Sequence, residues 1–216
     1  NENVGIPLIE GYGLSETSPV ACFNPLRGEK KAGSVGLPIR GVAFQIWNDA
    51  GEVLPTGEQG EICIKGHNIM IGYWNNPEAT AAAIKGDWFL SGDIGYLDDE
   101  GFLFLVDRAK DMVLRGGENV YSAEVEAAIY EHPAVAEAAV FAVPDGRLGE
   151  AVGVAIVLLP EASMTADDLR AHTAELIASF KVPEHVWFLS DPLPRNANGK
   201  FVKRQLRESL LETSTG

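Results

Sequence analysis

The chain has 216 residues, with 31 Asp+Glu against 17 Lys+Arg and a formal charge of -14. Apolar residues make up 46% and charged ones 22%, which excludes disorder as the main state because the apolar surface can offset the chain entropy of folding. The negative balance argues against a general nucleic-acid or anionic-membrane binder, since phosphate contacts need clustered Lys and Arg.

The chain opens on Asn1 rather than Met, and is expected to start in mid-fold. No signal peptide is evident, so the expected location is cytoplasmic. Through the first half the pattern is one of short strands and turns. Residues 42–47 alternate, Asn48-Asp49-Ala50-Gly51 makes a turn, and residues 60–65 alternate again with Ile62 and Ile64 on one face and Cys63 on the other. Glycines recur from Gly33 to Gly72, predicting a small barrel or curled sheet. Asn76-Pro77-Glu78-Ala79-Thr80 opens a short alanine-rich helix, with Pro77 in the tolerated first turn. Asp98-Asp99-Glu100-Gly101 reads as a hairpin turn and lacks the further ligands of a calcium loop.

The character changes near Asp107. Ser122 is expected to cap a helix running to Glu131, ended by His132-Pro133. Residues 136–143 and 151–159 are buried-type strands joined through Pro144-Asp145-Gly146. The second of these is the longest apolar run and is too short to span a bilayer as a helix. Thr165 to Asp168 resembles a capping box, and the helix behind it places Leu169, Leu176, Ile177 and Phe180 on one face. A strand at 185–189 precedes a last helix carrying Val202, Leu206 and Leu210. The expected fold is α+β: residues 1–106 form a glycine-rich, β-barrel-like subdomain and residues 107–216 a small α+β domain.

Five segments are richer in Gly, Asp, Arg and Lys than packing requires. They are Gly11-Tyr12-Gly13-Leu14-Ser15-Glu16, Ser91-Gly92-Asp93, Asp107-Arg108-Ala109-Lys110-Asp111, Arg115-Gly116-Gly117-Glu118-Asn119 and residues 194–200. Each alone has a bland reading: a tight turn, a solvated charge run, a flexible loop before a helix. The last, Pro-Arg-x-x-x-Gly-Lys, lacks the spacing of a P-loop. The two cysteines, Cys22 and Cys63, form no C-x-x-C motif, and the four histidines share no ligand spacing.

In order and spacing together, these segments resemble the adenylate-forming superfamily of acyl- and aryl-CoA synthetases, luciferases and peptide-synthetase adenylation domains. Gly60-Glu61-Ile62, Gly72-Tyr73-Trp74-Asn75-Asn76-Pro77-Glu78-Ala79-Thr80 and Trp88-Phe89-Leu90-Ser91-Gly92-Asp93 extend the resemblance over nearly the whole chain. The wording is most similar to bacterial fatty-acyl-CoA ligases. The resemblance implies that residues 1–106 are the end of a larger N-terminal domain and residues 107–216 a mobile C-terminal one. It implies ATP, Mg²⁺ and CoA as cofactors, a small-molecule carboxylic acid as substrate, and neither nucleic acid nor an integral membrane segment.

It also implies site residues. Glu16 matches the Mg²⁺ carboxylate, and Ser15 falls where the family usually has Thr on the α-phosphate. Tyr12, between Gly11 and Gly13, would lay its ring on adenine, with the glycines admitting backbone to the nucleotide. Asp93 would accept both ribose hydroxyls and Arg108 would add a donor. Lys200 matches the catalytic lysine that bridges the substrate carboxylate and α-phosphate, Lys110 the hinge, and Gly116 and Gly117 the CoA channel. The basic residues Arg195, Lys200, Lys203, Arg204 and Arg207 are either CoA-phosphate contacts or a solvated helix face. The family's phosphate loop is missing, so the chain is expected to be a C-terminal piece without full activity alone. Two alternatives stand: an aryl- or amino-acid adenylating enzyme with a carrier-protein acceptor, and a noncatalytic docking or nucleotide-binding module.

Overall fold

The computed structural model describes residues 8–196 and 199–213; Asn1, and Ala197 and Asn198 within the 194–200 segment, lie outside the described residues. The chain divides into two compact units, Asn1–Ala109 and Lys110–Gly216. A boundary placed before Asp107 would cut the last strand of the first unit, which continues through Arg108.

The first unit contains β1 (Gly11–Tyr12), a 3-10 turn (Ser15–Thr17), β2 (Cys22–Phe23), β3 (Ser34–Pro38), β4 (Val42–Trp47), β5 (Gly60–Gly66), α1 (Pro77–Ala83), β6 (Ile84–Lys85), β7 (Trp88–Leu97) and β8 (Leu103–Arg108). Its strands form one sheet in the order β1-β2-β3-β8-β7-β5-β4, with β6 added beside β7. The sheet stays open between β1 and β4, so among the described residues there is no closed barrel. Glycine-rich turns make strands short enough to curl but do not join the edges. Ile62, Cys63 and Ile64 are all buried, so both faces of β5, which runs between β4 and β7, are covered. Alternation in β5 therefore separates two covered faces rather than core from solvent. Ile46, Ile62, Ile64, Phe89 and Leu103 fill the core together with Ala21 and Cys22.

Asn76 caps α1, its Oδ1 accepting from Ala79 N at 3.0 Å. The acidic turn at 98–101 closes the β7–β8 hairpin, with Asp98 Oδ1 accepting from Glu100 N and Phe102 N. Lys31 neutralises that turn: its Nζ reaches Asp98 and Glu100 and lies 4.8 Å from the Phe102 ring centroid. The acidic run is thus satisfied by the chain itself.

The second unit contains β9 (Val113–Arg115), β10 (Glu118–Val120), α2 (Ser122–Tyr130), β11 (Val135–Asp145), β12 (Gly149–Leu158), α3 (Ala166–Leu176), a 3-10 turn (Ser179–Lys181), β13 (His185–Leu189) and α4 (Lys203–Thr213). β11 and β12 form a long antiparallel pair, β13 joins β12 in parallel, and β9 meets β12 at Arg115 and Gly149. Val140, Val152, Val154 and Ile156 pack on Val125 and Ile129 of α2 and on Leu169 of α3. Ala139, Phe141, Val143 and Ala155 pack instead with Leu193 and Leu206. Helices on both faces explain why the two long strands read as continuous apolar runs.

Three local expectations change. Pro144 and Asp145 belong to β11, and the turn is Gly146-Arg147-Leu148; Asp145 Oδ1 holds it by accepting from Arg147 N and Leu148 N. Ser122 lies inside α2, capped by position Tyr121, and its buried hydroxyl accepts from Lys203 Nζ at 2.8 Å. Leu176 is 45% exposed at the end of α3, while Ile177 and Phe180 leave the helix and still pack on the core.

The capping box is formed: Thr165 Oγ1 accepts from Asp168 N at 3.1 Å, and Asp168 Oδ2 accepts from Thr165 N at 3.0 Å. Aspartate serves as well as the usual glutamate because its shorter arm still spans one helical turn. Thr165→Ala is expected to cost the second unit about 1 kcal/mol, the usual worth of an N-cap. Urea denaturation followed by circular dichroism checks this.

Candidate functional site

In the first unit, antiparallel pairing of β7 and β8 sets Asp93 opposite Arg108. β1 supplies Tyr12, whose OH donates to Asp93 Oδ2 at 2.7 Å. Arg108 Nε lies 3.3 Å from Asp93 Oδ1. Gly92 adopts φ 71°, a left-handed conformation suited to glycine, and its N–H donates to Glu61 Oε1 at 2.9 Å. Asp93 N donates to Ser91 Oγ at 3.1 Å, so two consecutive backbone N–H groups leading into the carboxylate are held by side chains.

Asp93 is 8% exposed. A buried carboxylate is costly unless paired and hydrogen-bonded, and Tyr12 and Arg108 meet that need with one contact on each oxygen. Each oxygen keeps a further lone pair, so the group can still accept two donors from a ligand, as a vicinal diol requires. Burial, then the Asp93 charge, pushes the Tyr12 phenol well above its ordinary range, keeping it a hydrogen-bond donor.

Glu16 sits in the 3-10 turn between Ser15, which is exposed, and Thr17, which is buried. Thr17 Oγ1 accepts from Leu14 N at 2.8 Å. Asn68 Nδ2 donates to Thr17 O at 3.1 Å and to Val20 O at 2.6 Å. Met70 N donates to Glu16 O at 2.8 Å, and Tyr73 OH to Glu16 Oε1 at 2.9 Å. The segment after β5 therefore docks on the turn and orients its carboxylate. Tyr73, Asn68, Ser91 and Glu61 are supporting residues that the sequence reading did not single out. Tyr73, Ser91 and Glu61 lie within segments that carry the resemblance, whereas nothing in the sequence marks Asn68.

Gly11 and Gly13 have an intrachain explanation. A Cβ on Gly11 would overlap the Phe23 ring, and one on Gly13 would overlap the Pro19 carbonyl. Their lack of a side chain lets β1 and the following turn fold against residues 19–23. Among the described residues no cluster of three or more His, Cys, Asp or Glu could hold a metal ion. Glu16 with one oxygen engaged by Tyr73 still fits Mg²⁺, which is commonly held by one or two carboxylates plus substrate phosphates.

Lys110 is exposed and is the first residue of the second unit. Gly116 and Gly117 are not a loose loop. They are the two turn residues of the β9–β10 hairpin, with Arg115 opposite Glu118 and φ of 61° and 91°. Positive φ at both positions is the type I′ pattern that glycine permits without strain. No Cβ neighbour lies within 4 Å of Gly117, so the turn is open at its tip.

Lys200 is exposed just before Phe201, which bridges Arg195. Of the five basic residues near the end, Arg195 pairs with Glu137, Lys203 with Glu126 and Arg204 with Glu208. The cluster is thus largely neutralised within the chain and is not a free basic face. Cys22 and Cys63 are buried, and burial pushes both thiols up to about 12, which leaves them unreactive core residues.

Residues 1–74 match the family model of the AMP-binding enzymes, and residues 124–200 match that of the AMP-binding enzyme C-terminal domain. A long-chain-fatty-acid–CoA ligase of Bacillus subtilis is 43% identical over 209 residues, covering 96% of this chain and 37% of that protein. A 2-succinylbenzoate–CoA ligase of Geobacillus kaustophilus is 44% identical over 210 residues, covering 97% of this chain and 42% of that protein. The solved o-succinylbenzoate CoA synthetase of Bacillus subtilis, in complex with its acyl-adenylate intermediate, aligns with a TM-score of 0.85 at 38% identity. That alignment covers 95% of this chain and 42% of the solved one. The chain spans about two fifths of the length of the curated relatives it matches.

Proposed function

The chain belongs to the AMP-binding enzymes, and from that premise we propose that it works in ATP-dependent activation of a carboxylic acid to an acyl-adenylate and transfer of the acyl group to CoA. The observation that carries this reading is Asp93, a buried carboxylate held by Tyr12 and Arg108 with a lone pair to spare on each oxygen.

In the first half-reaction a substrate carboxylate oxygen bonds to the α-phosphorus of ATP, and the bond from that phosphorus to pyrophosphate breaks. In the second, the CoA sulfur attacks the acyl carbonyl carbon, its proton is lost, and AMP leaves. Asp93 takes the two ribose hydroxyls, and Arg108 adds a donor beside it from a guanidinium of fixed geometry. Tyr12 places its ring against adenine while its OH stays on Asp93. Ser15 bonds the α-phosphate. Glu16 would hold Mg²⁺, which when bound supplies positive charge to offset that of the phosphates. Lys200 binds between the substrate carboxylate and the α-phosphate, lowering the repulsion between two anions that must meet. Gly116 and Gly117 line the path of the pantetheine arm, where the open side of the turn at Gly117 leaves room for a narrow thiol.

The proposed acid is a fatty acid and the proposed compartment the cytoplasm, where ATP and CoA are at hand. The fatty-acid ligase at 43% identity supports that acid, although a succinylbenzoate ligase is equally similar. A screen of carboxylic acids with the complete gene product, reading AMP release with and without CoA, tests the reading. Activity only with amino acids or a phosphopantetheinyl carrier would replace it with the carrier-protein alternative. Calorimetry with AMP, ATP and CoA showing no binding would favour a docking module.

Lys110 is the proposed hinge, and the division between compact units at that residue supports it. Lys110→Pro fixes φ there. Thioester formation from supplied acyl-adenylate is expected to slow by about tenfold, equivalent to roughly 1.4 kcal/mol in barrier, with adenylation near the parent rate. Rapid-quench measurement of each half-reaction checks this; an unchanged thioester step removes the hinge role.

A further inference from the structure

We propose that Glu137 is a positioning residue for Lys200: from β11 it clamps the base of the Lys200 loop through Arg195, so that adenylation depends on a carboxylate that touches no substrate. This rests on the catalytic role assigned above to Lys200.

Each oxygen of Glu137 has a separate partner on the loop. Oε1 accepts from Arg195 Nη2 at 2.7 Å, and Oε2 accepts from Leu193 N at 2.7 Å. Arg195 carries the restraint onward. Its Nη1 donates to Gly199 O at 2.8 Å, and its guanidinium lies 4.1 Å from the Phe201 ring centroid. One planar fork thereby spans from β11 to the residues on either side of Lys200. Lysine would replace it only in part, since a single ammonium keeps the charge for Glu137 but lacks the paired, fixed donors that also reach Gly199 O.

Asn196, Gly199 and Lys200 are also bonded to one another. Asn196 N donates to Lys200 O at 2.9 Å, Lys200 N donates to Asn196 Oδ1 at 3.0 Å, and Gly199 N donates to Asn196 O at 2.9 Å. Gly199 adopts φ 78°, which makes the reversal before Lys200 possible without strain. Downstream, Lys203 at the start of α4 is held by Glu126 at 2.7 Å and by Ser122 Oγ at 2.8 Å. The Lys200 backbone is therefore fixed before and behind, while its own side chain stays exposed.

The charges of this arrangement are matched to the task. Glu137 is only 20% exposed at its side chain, where a charge-assisted bond outweighs a surface pair. The Arg195 guanidinium, then the Leu193 N–H, holds its carboxyl below the usual range against the opposing effect of burial. The carboxylate therefore stays ionised at neutral pH. Chain flexibility around a long lysine arm is costly when a transition state needs its ammonium at one place, and misplacement by about 1 Å can cost roughly 100-fold in rate.

The test uses Glu137→Gln, Arg195→Lys, Arg195→Ala and Lys200→Ala in the complete gene product, with thermal unfolding recorded for each. Pyrophosphate exchange reads adenylation, and acyl-adenylate supplied with CoA reads the thioester step. Glu137→Gln keeps an acceptor for Leu193 N but loses the charge pair. It is expected to lower the adenylation kcat about 10- to 100-fold, with the KM for ATP and the thioester step unchanged. Arg195→Lys is expected to recover part of the activity lost in Arg195→Ala. Equal loss in both half-reactions, or no loss in either, overturns the clamp as a positioning device and leaves it a structural tie. Should Lys200→Ala itself spare adenylation, the role of Lys200 fails and the proposal with it. Loss in Lys200→Ala without loss in Glu137→Gln rejects the clamp alone.

Discussion

Replacing Lys200 by alanine is expected to slow acyl-adenylate formation by about 100- to 1,000-fold, the scale of removing one group that stabilises transition-state charge. Thioester formation from supplied acyl-adenylate should stay within about twofold of the parent rate, because an interaction made only in one transition state affects only that step. The physical reason is charge. Attack on the α-phosphorus joins a carboxylate directly to a charged phosphate, whereas the later attack by sulfur falls on the uncharged acyl carbonyl carbon of the mixed anhydride, one atom removed from the phosphate group. The loop geometry allows this division, since Lys200 is tied by its backbone through Asn196 and leaves its ammonium unused by the ion pairs that hold Arg195, Lys203 and Arg204. Removing the side chain should therefore leave the fold intact. Pyrophosphate exchange and single-turnover thioester formation measure the two steps separately. Equal loss in both would sink the assignment and make Lys200 a general structural residue.

How far the sequence discloses this differs between its parts. The long strands β11 and β12 are legible because both faces are covered, giving uninterrupted apolar runs, and the capping box at Thr165 and Asp168 carries a local hydrogen-bond signature. The open edges of the first sheet were not legible. Short glycine-separated strands are compatible with a closed or an open sheet, and closure depends on long-range register that composition does not contain. Ser122 failed as a cap for a similar reason: its hydroxyl has the right chemistry, but Lys203, far along the chain, uses it inside the helix. At the candidate site, Asp93, Tyr12 and Arg108 lie in separate segments, and only strand pairing shows them around one carboxylate. The resemblance nominates the residues; the fold shows why Gly11 and Gly13 must be glycine even without a nucleotide. Glu137 reads in sequence as an ordinary acid in an apolar strand, and only the fold sets it against Leu193 and Arg195.

Asp93→Ala is expected to weaken AMP binding by at least about 100-fold. On the proposed role of Asp93, two charge-assisted hydrogen bonds to ribose would be lost, each worth about 1.5–3 kcal/mol, and every 1.4 kcal/mol is roughly tenfold in affinity. The substitution also strips Tyr12 OH and Arg108 Nε of their shared partner, so a fall in thermal stability is expected alongside and does not by itself decide the matter. Tyr12→Phe separates the two effects. It removes the internal bond to Oδ2 but leaves both carboxylate oxygens for the ligand and keeps an aromatic face for adenine. AMP affinity should then fall by less than about tenfold, the net worth of one hydrogen bond. Asp93→Asn should lie between, because its amide offers one acceptor oxygen where the carboxylate offers two. Isothermal titration of AMP into the complete gene product gives all three values. If Asp93→Ala and Tyr12→Phe weaken AMP equally, Asp93 serves only to hold the strands together, and the ribose must be recognised elsewhere. If Asp93→Ala alone abolishes binding, the spare lone pairs of a buried, pre-paired carboxylate are what the nucleotide uses.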